Sequence, residues 1–376
     1  MQRKKCVCCN STNLISLYGL ESFPSSSSQH IVPTYDIEHL NFCYCNNCFQ
    51  VQLKTLCDLK ILYKTSHNSE IVGDTWKNHF KKLHLFICEN IPDICELNVL
   101  DIGDPVFKLG REFKNFKGEW HRIDPNCEEY GNQPNIKIYK KFFDNDFCLD
   151  SKIDVVIHSH LFEHMYDPLI FLEHIRTFLP NNGLMCFSVP NMTYIAHNCI
   201  MPFAGVFFEH TFHLGVITME YMLLVSGFKI KYFQPFQNHS NFYIVQKIDR
   251  TTTHELDNLI VYNKHILTLF NDSLLYVNKM KEILRTYCEI SNIYVYSSHY
   301  NTQVLLHNEN TCKIISILDN DVNKQGKYLN NMNIMTYSPT ILKDKGVCVV
   351  MVSHCGYYKN EIINCLNGIN DKLILI

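Results

Sequence analysis

The stretch "LNVLDIG", residues 97–103, is a short apolar run that ends in an acidic residue and a glycine. It predicts a buried β-strand followed by a tight turn. A second predicted strand, "WHRIDPN", ends at Asp124. In an α/β sheet that binds a nucleoside, the first turn approaches the ligand and an acid after the next strand accepts both ribose hydroxyls. Asp101, Gly103 and Asp124 are therefore candidate cofactor-binding residues, with a purely structural role as the alternative.

Strand and helix signals continue to alternate on both sides of this stretch. Buried strands are predicted in "IDVVIHS" and "GLMCFSVPN", and helices in "TWKNHFKKLHLFICENI" and "PLIFLEHIRTFL". This alternation predicts a parallel, doubly wound sheet that binds ligands at the carboxyl ends of its strands. A long helical stretch from about His254 to Glu289 follows, and then further strands in "NIYVYSS", "CKIISILDND" and "GVCVVMVS". The last segment is therefore expected to form a second, smaller α/β unit.

Cysteine is unusually frequent, with 18 in the chain and seven of them before residue 60. In a reducing compartment such clustering indicates metal ligation rather than disulfides. Two Cys-x-x-Cys pairs, whose spacing suits a tetrahedral ion, are Cys6 with Cys9 and Cys45 with Cys48. We predict that these four thiolates hold a structural zinc ion. Cys8 and Cys43 are rival ligands, and a reduced, metal-free subdomain is the alternative.

The bulk composition excludes several classes of protein. A net charge of −3 over 376 residues gives no basic field for nucleic acid. No apolar run reaches the roughly eighteen residues of a membrane span, and the start "MQRKKCVCC" lacks the apolar core of a signal peptide. We expect a cytoplasmic protein without a membrane span and without a nucleic-acid partner. The oligomeric state stays open.

Two segments concentrate histidine beside glutamate. In "HSHLFEHMYDP", residues 158–168, the polar side chains are predicted to lie in a loop after a buried strand. In "FFEHTFHLG", residues 207–215, Glu209 and two histidines stand among bulky apolar residues. Histidine titrates near neutral pH and suits proton transfer. Satisfied core polarity and metal binding are the alternatives for these segments.

Taken together, these motifs resemble the sugar carbon-methyltransferases that act on nucleotide-linked keto-deoxysugars. The knuckles "CVCCN" and "CYCNNCFQVQL", the segment "LYKTS" with "TWKNHF", the stretches "VLDIG" and "RIDP", and both histidine segments carry the resemblance. In the last segment "LDNDVNKQGKYL" and "SHCGYYKNEI" also resemble the family.

The resemblance implies three domains: a zinc-binding domain over residues 1–60, a Rossmann-like class I methyltransferase core over 61–250, and a C-terminal Rossmann-like α/β domain over 251–376. It also implies S-adenosylmethionine as methyl donor and a nucleotide-linked sugar as substrate. In such enzymes a base removes the proton beside a ketone, and the enolate attacks the methyl group.

On this basis we assign His210 as the base and Glu209 as the group that orients it. His164 and Tyr63 are candidates for polarising the ketone or stabilising the enolate.

Two departures from the family pattern keep other functions open. Phe107 stands where a second glycine is expected in the loop "DIGDPVFKLG", and Phe207 stands where the family has a tyrosine. These changes allow transfer to oxygen instead of carbon. They also allow a degenerate relative that binds a sugar nucleotide or a partner enzyme without transferring methyl.

Overall fold

The computed structural model describes residues 1–62, 74–129, 134–198, 202–250, 256–353 and 359–376. Tyr63 lies outside these ranges, as do residues 354–358 of the motif "SHCGYYKNEI".

The N-terminal segment forms a small antiparallel sheet. Its elements are β1 (Leu14–Pro24), β2 (Gln29–His30), β3 (Ile37–Cys45), β4 (Val51–Leu53) and the short helix α1 (Leu59–Leu62). The sheet order is β1-β3-β4. The cysteine pairs lie at one end of this sheet, because Leu14 of β1 pairs with Cys45 of β3.

The central segment forms a seven-stranded sheet flanked by helices. In chain order its elements are α2 (Asp74–Asn90), β5 (Val99–Ile102), β6 (Trp120–Ile123), β7 (Ile136–Tyr139), β8 (Val155–Ser159), α3 (Pro168–Phe178), β9 (Leu184–Pro190), α4 (Met192–His197), α5 (Val216–Val225), β10 (Phe228–Phe236) and β11 (Ser240–Lys247).

The order of this sheet is β10-β11-β9-β8-β5-β6-β7, and the strands from β9 to β7 pair in parallel. The strand β11 enters antiparallel between β9 and β10. All four residues of β5 are buried, because helices cover both faces of a parallel sheet. The prediction of a doubly wound, Rossmann-like core is confirmed.

Local sequence sets where the helices beside this sheet begin. Pro168 occupies the first turn of α3, where its missing N–H costs nothing. Asn191 caps α4, because its side-chain Oδ1 accepts a 3.1 Å hydrogen bond from the backbone N–H of Tyr194. These starts fix the loops that precede each helix, and those loops carry the polar side chains described below.

The C-terminal segment forms a second α/β unit around a five-stranded parallel sheet of order β15-β13-β12-β16-β17. Its elements are α6 (Asp257–Ile290), β12 (Ile293–Tyr296), α7 (Tyr300–Leu306), β13 (Ile314–Leu318), β14 (Tyr328–Leu329), β15 (Thr336–Tyr337), β16 (Cys348–Val352), α8 (Lys359–Ile369) and β17 (Leu373–Leu375). None of the helices in the described ranges combines the length and the hydrophobicity that crossing a membrane requires.

The N-terminal and C-terminal segments are joined by a short antiparallel ladder. Strand β14 pairs with β2, with Tyr328 opposite His30 and Leu329 opposite Gln29. The adjacent Asn330 N–H donates to the carbonyl of Ser28 at 2.9 Å. The "NKQGKYL" motif therefore ends in a contact with the Ser-rich segment near the start of the chain.

Candidate active site

A cavity of about 580 Å³ lies at the carboxyl ends of β5, β6 and β8. This is the edge of the sheet at which doubly wound folds bind ligands. The predicted residues among its lining are Gly103, Asp124, His164, Glu209 and His210. One cavity is therefore lined both by residues expected to bind a cofactor and by residues expected to be catalytic. The two sets lie far apart in the sequence.

Gly103 follows β5 with a φ of +80°, a conformation that side chains rarely adopt. A Cβ at this position would lie 3.0 Å from Cδ1 of Leu161, which also lines the cavity. Glycine is therefore required here for both backbone conformation and space.

Asp124 follows β6 and lines the same cavity. Its Oδ1 accepts a 2.7 Å hydrogen bond from the backbone N–H of Asn126, which fixes the carboxylate at the start of the loop. Burial raises the pKa of Asp124, and the hydrogen bond to Asn126 opposes this shift. The carboxylate has capacity left to accept further hydrogen bonds from a ligand.

Asp101 lies within β5 and is 2% exposed. Its Oδ2 accepts a 3.0 Å hydrogen bond from the indole N–H of Trp120 on the neighbouring strand. Burial, followed by the nearby Asp104, holds the pKa of Asp101 well above its ordinary value. Asp101 is not among the described residues that line the cavity, so it supports the loop from behind.

Phe107, where the resemblance implies a glycine, has a φ of +58°, in the left-handed region that favours glycine. Its ring turns into the core, where it contacts the Trp120 ring edge-on at 5.4 Å and the guanidinium of Arg122 at 4.6 Å. The neighbours Val106 and Lys108 line the cavity, whereas Phe107 is absent from the described lining. The side chain therefore does not fill the space beside Gly103.

Arg122, which the sequence analysis did not single out, holds this loop in place. It is buried, and its guanidinium donates to the backbone carbonyls of Asp104 at 3.1 Å, Pro105 at 3.0 Å and Glu128 at 2.9 Å. Five donors in a rigid fork suit arginine to such a cluster of carbonyls. The sequence offered one indication of this role, since Arg122 stands two residues before Asp124 in "RIDP".

His164 and His210 meet at the opposite wall of the cavity. His164 ends a short 3-10 turn, Phe162–His164, after β8, and the centres of the two imidazole rings are 4.9 Å apart. Burial, followed by the neighbouring imidazoles of His164 and His160, holds the pKa of His210 well below its ordinary value. His210 is consequently neutral near pH 7, the form in which imidazole accepts a proton.

Glu209 lines the cavity, but the hydrogen bonds of the described residues include none between its carboxylate and the imidazole of His210. The ring of Phe207 packs instead against His210, with ring centres 4.4 Å apart. The Phe207 backbone N–H donates to the His210 carbonyl at 3.0 Å. The contacts of His210 therefore include the backbone turn, the Phe207 ring and a hydrogen bond with the backbone of Gly205, rather than a bond to Glu209.

A carboxylate beside these histidines belongs to Glu163, a fully buried residue for which no role was predicted. Its Oε1 lies 3.3 Å from Nδ1 of His160 and 3.8 Å from Nε2 of His164. Burial raises the pKa of Glu163 to about 7, against the opposing effect of His164. Its position immediately before His164 in "FEH" was visible, but its burial depends on tertiary packing.

Other histidines of the two segments belong to the core. His158 lies inside β8 rather than in the predicted loop, and its ring stacks on Phe187 at 4.8 Å. His213 is fully buried, and its ring nitrogens lie 3.1 Å from the Ala204 carbonyl and 3.0 Å from the Tyr262 hydroxyl. His213 is hydrogen-bonded and His158 is packed inside the fold, whereas His160, His164 and His210 line the cavity.

The four predicted cysteine ligands come together in the N-terminal segment. The sulfurs of Cys6 and Cys48 are 3.5 Å apart, and those of Cys9 and Cys45 are 3.6 Å apart. Four thiolates at about 2.3 Å from a tetrahedral zinc ion would be separated by nearly this distance. The residues therefore fit the ion.

The rival cysteines lie outside this group. The thiol of Cys8 donates to Oε1 of Gln50 at 3.2 Å. Cys43 is buried within β3. Neither belongs to the set of four sulfurs that converge.

Residues 88–249 match the family model described as a methyltransferase domain. A search of curated proteins gives no match. Among solved structures, the 1,6-didemethyltoxoflavin-N1-methyltransferase of Burkholderia thailandensis is similar at 10% identity, covering 53% of this chain and 96% of that one with a TM-score of 0.40. The N-methyltransferase NodS of Bradyrhizobium japonicum WM9 is similar at 10% identity, covering 50% and 98% with a TM-score of 0.37.

The central segment therefore combines a match to the methyltransferase-domain family model with a Rossmann-like class I fold. Within this class, the match supports an S-adenosylmethionine-dependent methyltransferase.

Proposed function

We propose that this protein transfers a methyl group from S-adenosylmethionine to a carbon of a nucleotide-linked keto-deoxysugar. The observation that carries the proposal is the single cavity lined by Gly103 and Asp124 on one side and by His164 and His210 on the other. Residues that would bind the methyl donor and a neutral base that line the same cavity can act on the same substrate.

Gly103 and Asp124 would hold the methyl donor. The bare backbone at Gly103 permits close approach, and the Asp124 carboxylate would accept hydrogen bonds from the ribose hydroxyls. Asp101 would keep the end of β5 in place through Trp120. When bound, S-adenosylmethionine supplies an electrophilic methyl group on its sulfonium.

His210 would remove a proton from the carbon beside the substrate ketone. A neutral imidazole at pH 7 is suited to this step, and positioned proton transfer contributes about 10²–10⁴ in rate. His164, whose ring lies 4.9 Å from that of His210, would donate a hydrogen bond to the ketone oxygen as negative charge develops on it. We keep Tyr63 as a second candidate for that donor and Glu209 as a residue that faces the substrate.

The cysteine cluster would hold zinc as a structural ion. Four protein thiolates complete a tetrahedral shell and leave no open position for a substrate. The ion would tie the turn at Cys6–Cys9 to the turn at Cys45–Cys48 and so fix the small sheet against the core.

The orientation of Phe107 favours an active enzyme over the degenerate relative. Phe107 and Phe207 are the two departures on which the degenerate relative rests. Because the Phe107 ring packs on Trp120 and Arg122, it leaves the space beside Gly103 open. Transfer to oxygen stays the alternative chemistry.

The test is incubation of the protein and S-adenosylmethionine with a panel of nucleotide-linked keto sugars. We expect one sugar to gain the mass of one methylene, and NMR to place the new methyl on carbon. A methyl on oxygen would replace carbon transfer with the alternative chemistry. Calorimetry that detects no donor binding at millimolar concentration would reject the enzymatic proposal.

A further inference from the structure

We propose that His79, His160 and His239 bind a divalent transition-metal ion at the wall of the cavity, separately from the cysteine cluster. The three side chains come from the helix α2, the loop after β8 and the turn between β10 and β11. One ligand atom from each lies within 4.8 Å of the other two.

The rings are spaced as ligands of one ion would be. Their centres are 5.1 Å apart for His79 and His160, 5.5 Å for His79 and His239, and 5.4 Å for His160 and His239. Imidazoles bound to a tetrahedral ion at a metal–nitrogen distance of about 2.0–2.1 Å have ring centres about 5 Å apart.

Serine hydroxyls contact a ring nitrogen of each of the three imidazoles. Nε2 of His79 lies 3.2 Å from Oγ of Ser159 and 3.2 Å from Oγ of Ser188. Oγ of Ser240 lies 2.8 Å from Nε2 of His160 and 2.5 Å from Nδ1 of His239. Metal-binding histidines use such neighbours to fix ring orientation and tautomer.

One nitrogen in the cluster lacks a partner. His79 is fully buried, and its Nδ1 has no hydrogen-bond partner among the described residues. A buried polar atom without a partner is unfavourable, because it has lost its hydrogen bonds to water. A metal ion bound by the cluster would satisfy it.

The backbone of His160 supports a functional role for its side chain. Its φ of +48° lies in the left-handed region, where non-glycine residues are uncommon. Nδ1 of His160 lies 3.3 Å from Oε1 of Glu163, so Nε2 is the nitrogen that would bind the ion, in place of its contact with Ser240. A carboxylate behind a histidine is a recurrent support for metal ligands.

The chemical type of the three metal ligands determines which class of ion the site would bind. Three imidazoles favour zinc, cobalt, nickel or copper over magnesium or calcium, which take oxygen ligands. Three protein ligands leave a fourth position open, as in catalytic zinc sites. His160 and His239 line the cavity together with Trp76. If the proposed function holds, this ion would be placed where it can polarise the substrate ketone.

The experiment is a cobalt titration of the full chain after removal of metal with a chelator, without donor or substrate. We expect two equivalents to bind. The cysteine site should show sulfur-to-cobalt charge transfer, and the histidine site should show d–d bands without it. Because no turnover is measured, failure of the methyl-transfer proposal would not affect this result.

His239→Ala should lose only the equivalent without charge transfer, and His174→Ala, a histidine on α3 outside the cluster, should keep both. Ser240→Ala should weaken the histidine site about 10–100-fold while the fold and the cysteine site persist. A single, sulfur-ligated equivalent in the native protein would overturn the proposal. So would an unchanged second equivalent in His239→Ala.

Discussion

The imidazole rings of His164 and His210 face each other across 4.9 Å with an interplanar angle of 69°. His164 is positioned by the turn after β8, and His210 by the loop that precedes α5. Burial, and after it the proximity of His164, lowers the pKa of His210 and keeps this imidazole neutral near pH 7. The pair therefore combines a proton acceptor with a hydrogen-bond donor at one wall of the cavity.

Replacement of His210 tests its role as base. His210→Ala should lower turnover by about 10²–10⁴, because the proton acceptor is lost, and should change donor affinity by less than about threefold. Turnover by mass spectrometry and donor binding by calorimetry measure the two effects. His197→Ala, at an exposed histidine outside the cavity lining, is the control. Joint loss of turnover and donor affinity in His210→Ala would indicate a structural role.

The depressed pKa of His210 predicts the pH profile. As pH falls, activity should persist below the ordinary histidine value of 6.5, because the imidazole stays neutral there. The measurement is kcat/KM as a function of pH. An acid limb at or above 6.5 would contradict the assignment of His210 as the base.

Substitutions at Gly103 and Phe107 should affect donor affinity and folding stability differently. Phe107→Ala should destabilise the fold by about 3–5 kcal/mol, because a buried ring is lost, while donor affinity stays nearly unchanged. Gly103→Ala should cost only about 1–2 kcal/mol in backbone strain but weaken donor binding at least about tenfold, because Leu161 must move. Denaturant unfolding and calorimetry give both quantities. The reverse pattern would place the Phe107 ring in the donor site.

Substitution of a cysteine ligand should remove the structural zinc ion. Cys6→Ser should remove one zinc equivalent, as measured by elemental analysis, and should unfold the N-terminal sheet. Cys43→Ser is the matched control, since this buried thiol lies outside the four converging sulfurs. Retention of all zinc by Cys6→Ser would show that the cluster is a reduced core.

The lowered pKa of the buried His213 imidazole should make the folding stability depend on pH. Burial lowers its pKa from 6.5 to about 4, so below pH 6.5 the unfolded chain gains a proton that the folded chain does not. Stability should therefore fall between about pH 6.5 and pH 4, by up to roughly 3 kcal/mol from this residue.

Denaturant unfolding of the native chain and of His213→Gln across this pH range isolates the effect. The variant should be less stable at pH 7, and the difference should narrow towards pH 4. A difference that is independent of pH would exclude this contribution of His213.

The sequence predicts the strands, helices and loops of the site better than the contacts between them. Alternating apolar runs were sufficient for the parallel sheet, and strand ends were sufficient for the positions of Gly103 and Asp124. The direction of the Phe107 ring was not predictable, because it depends on the packing of Trp120 and Arg122 from the next strand. The spacing of residues along the sequence describes a single strand or helix, and not how its side chains pack against other elements.

The same limit explains the histidine cluster near the cavity. His79 and His239 are far apart in the sequence and have no motif in common. They meet only because the β10–β11 turn returns beside α2. Glu163 was visible in its motif, yet its full burial between His160 and His164 depends on the completed fold.

The ladder between β2 and β14 has a consequence for how the protein can be dissected. Gln303 reinforces it by donating from Nε2 to the carbonyl of Ser26 at 2.8 Å. Removal of the last third of the chain would leave the backbone of the Ser-rich segment without these partners, far from the cut itself. Shortened forms are therefore expected to be vulnerable to proteases at both ends, and during synthesis this clasp can close only after the "NKQGKYL" motif has left the ribosome.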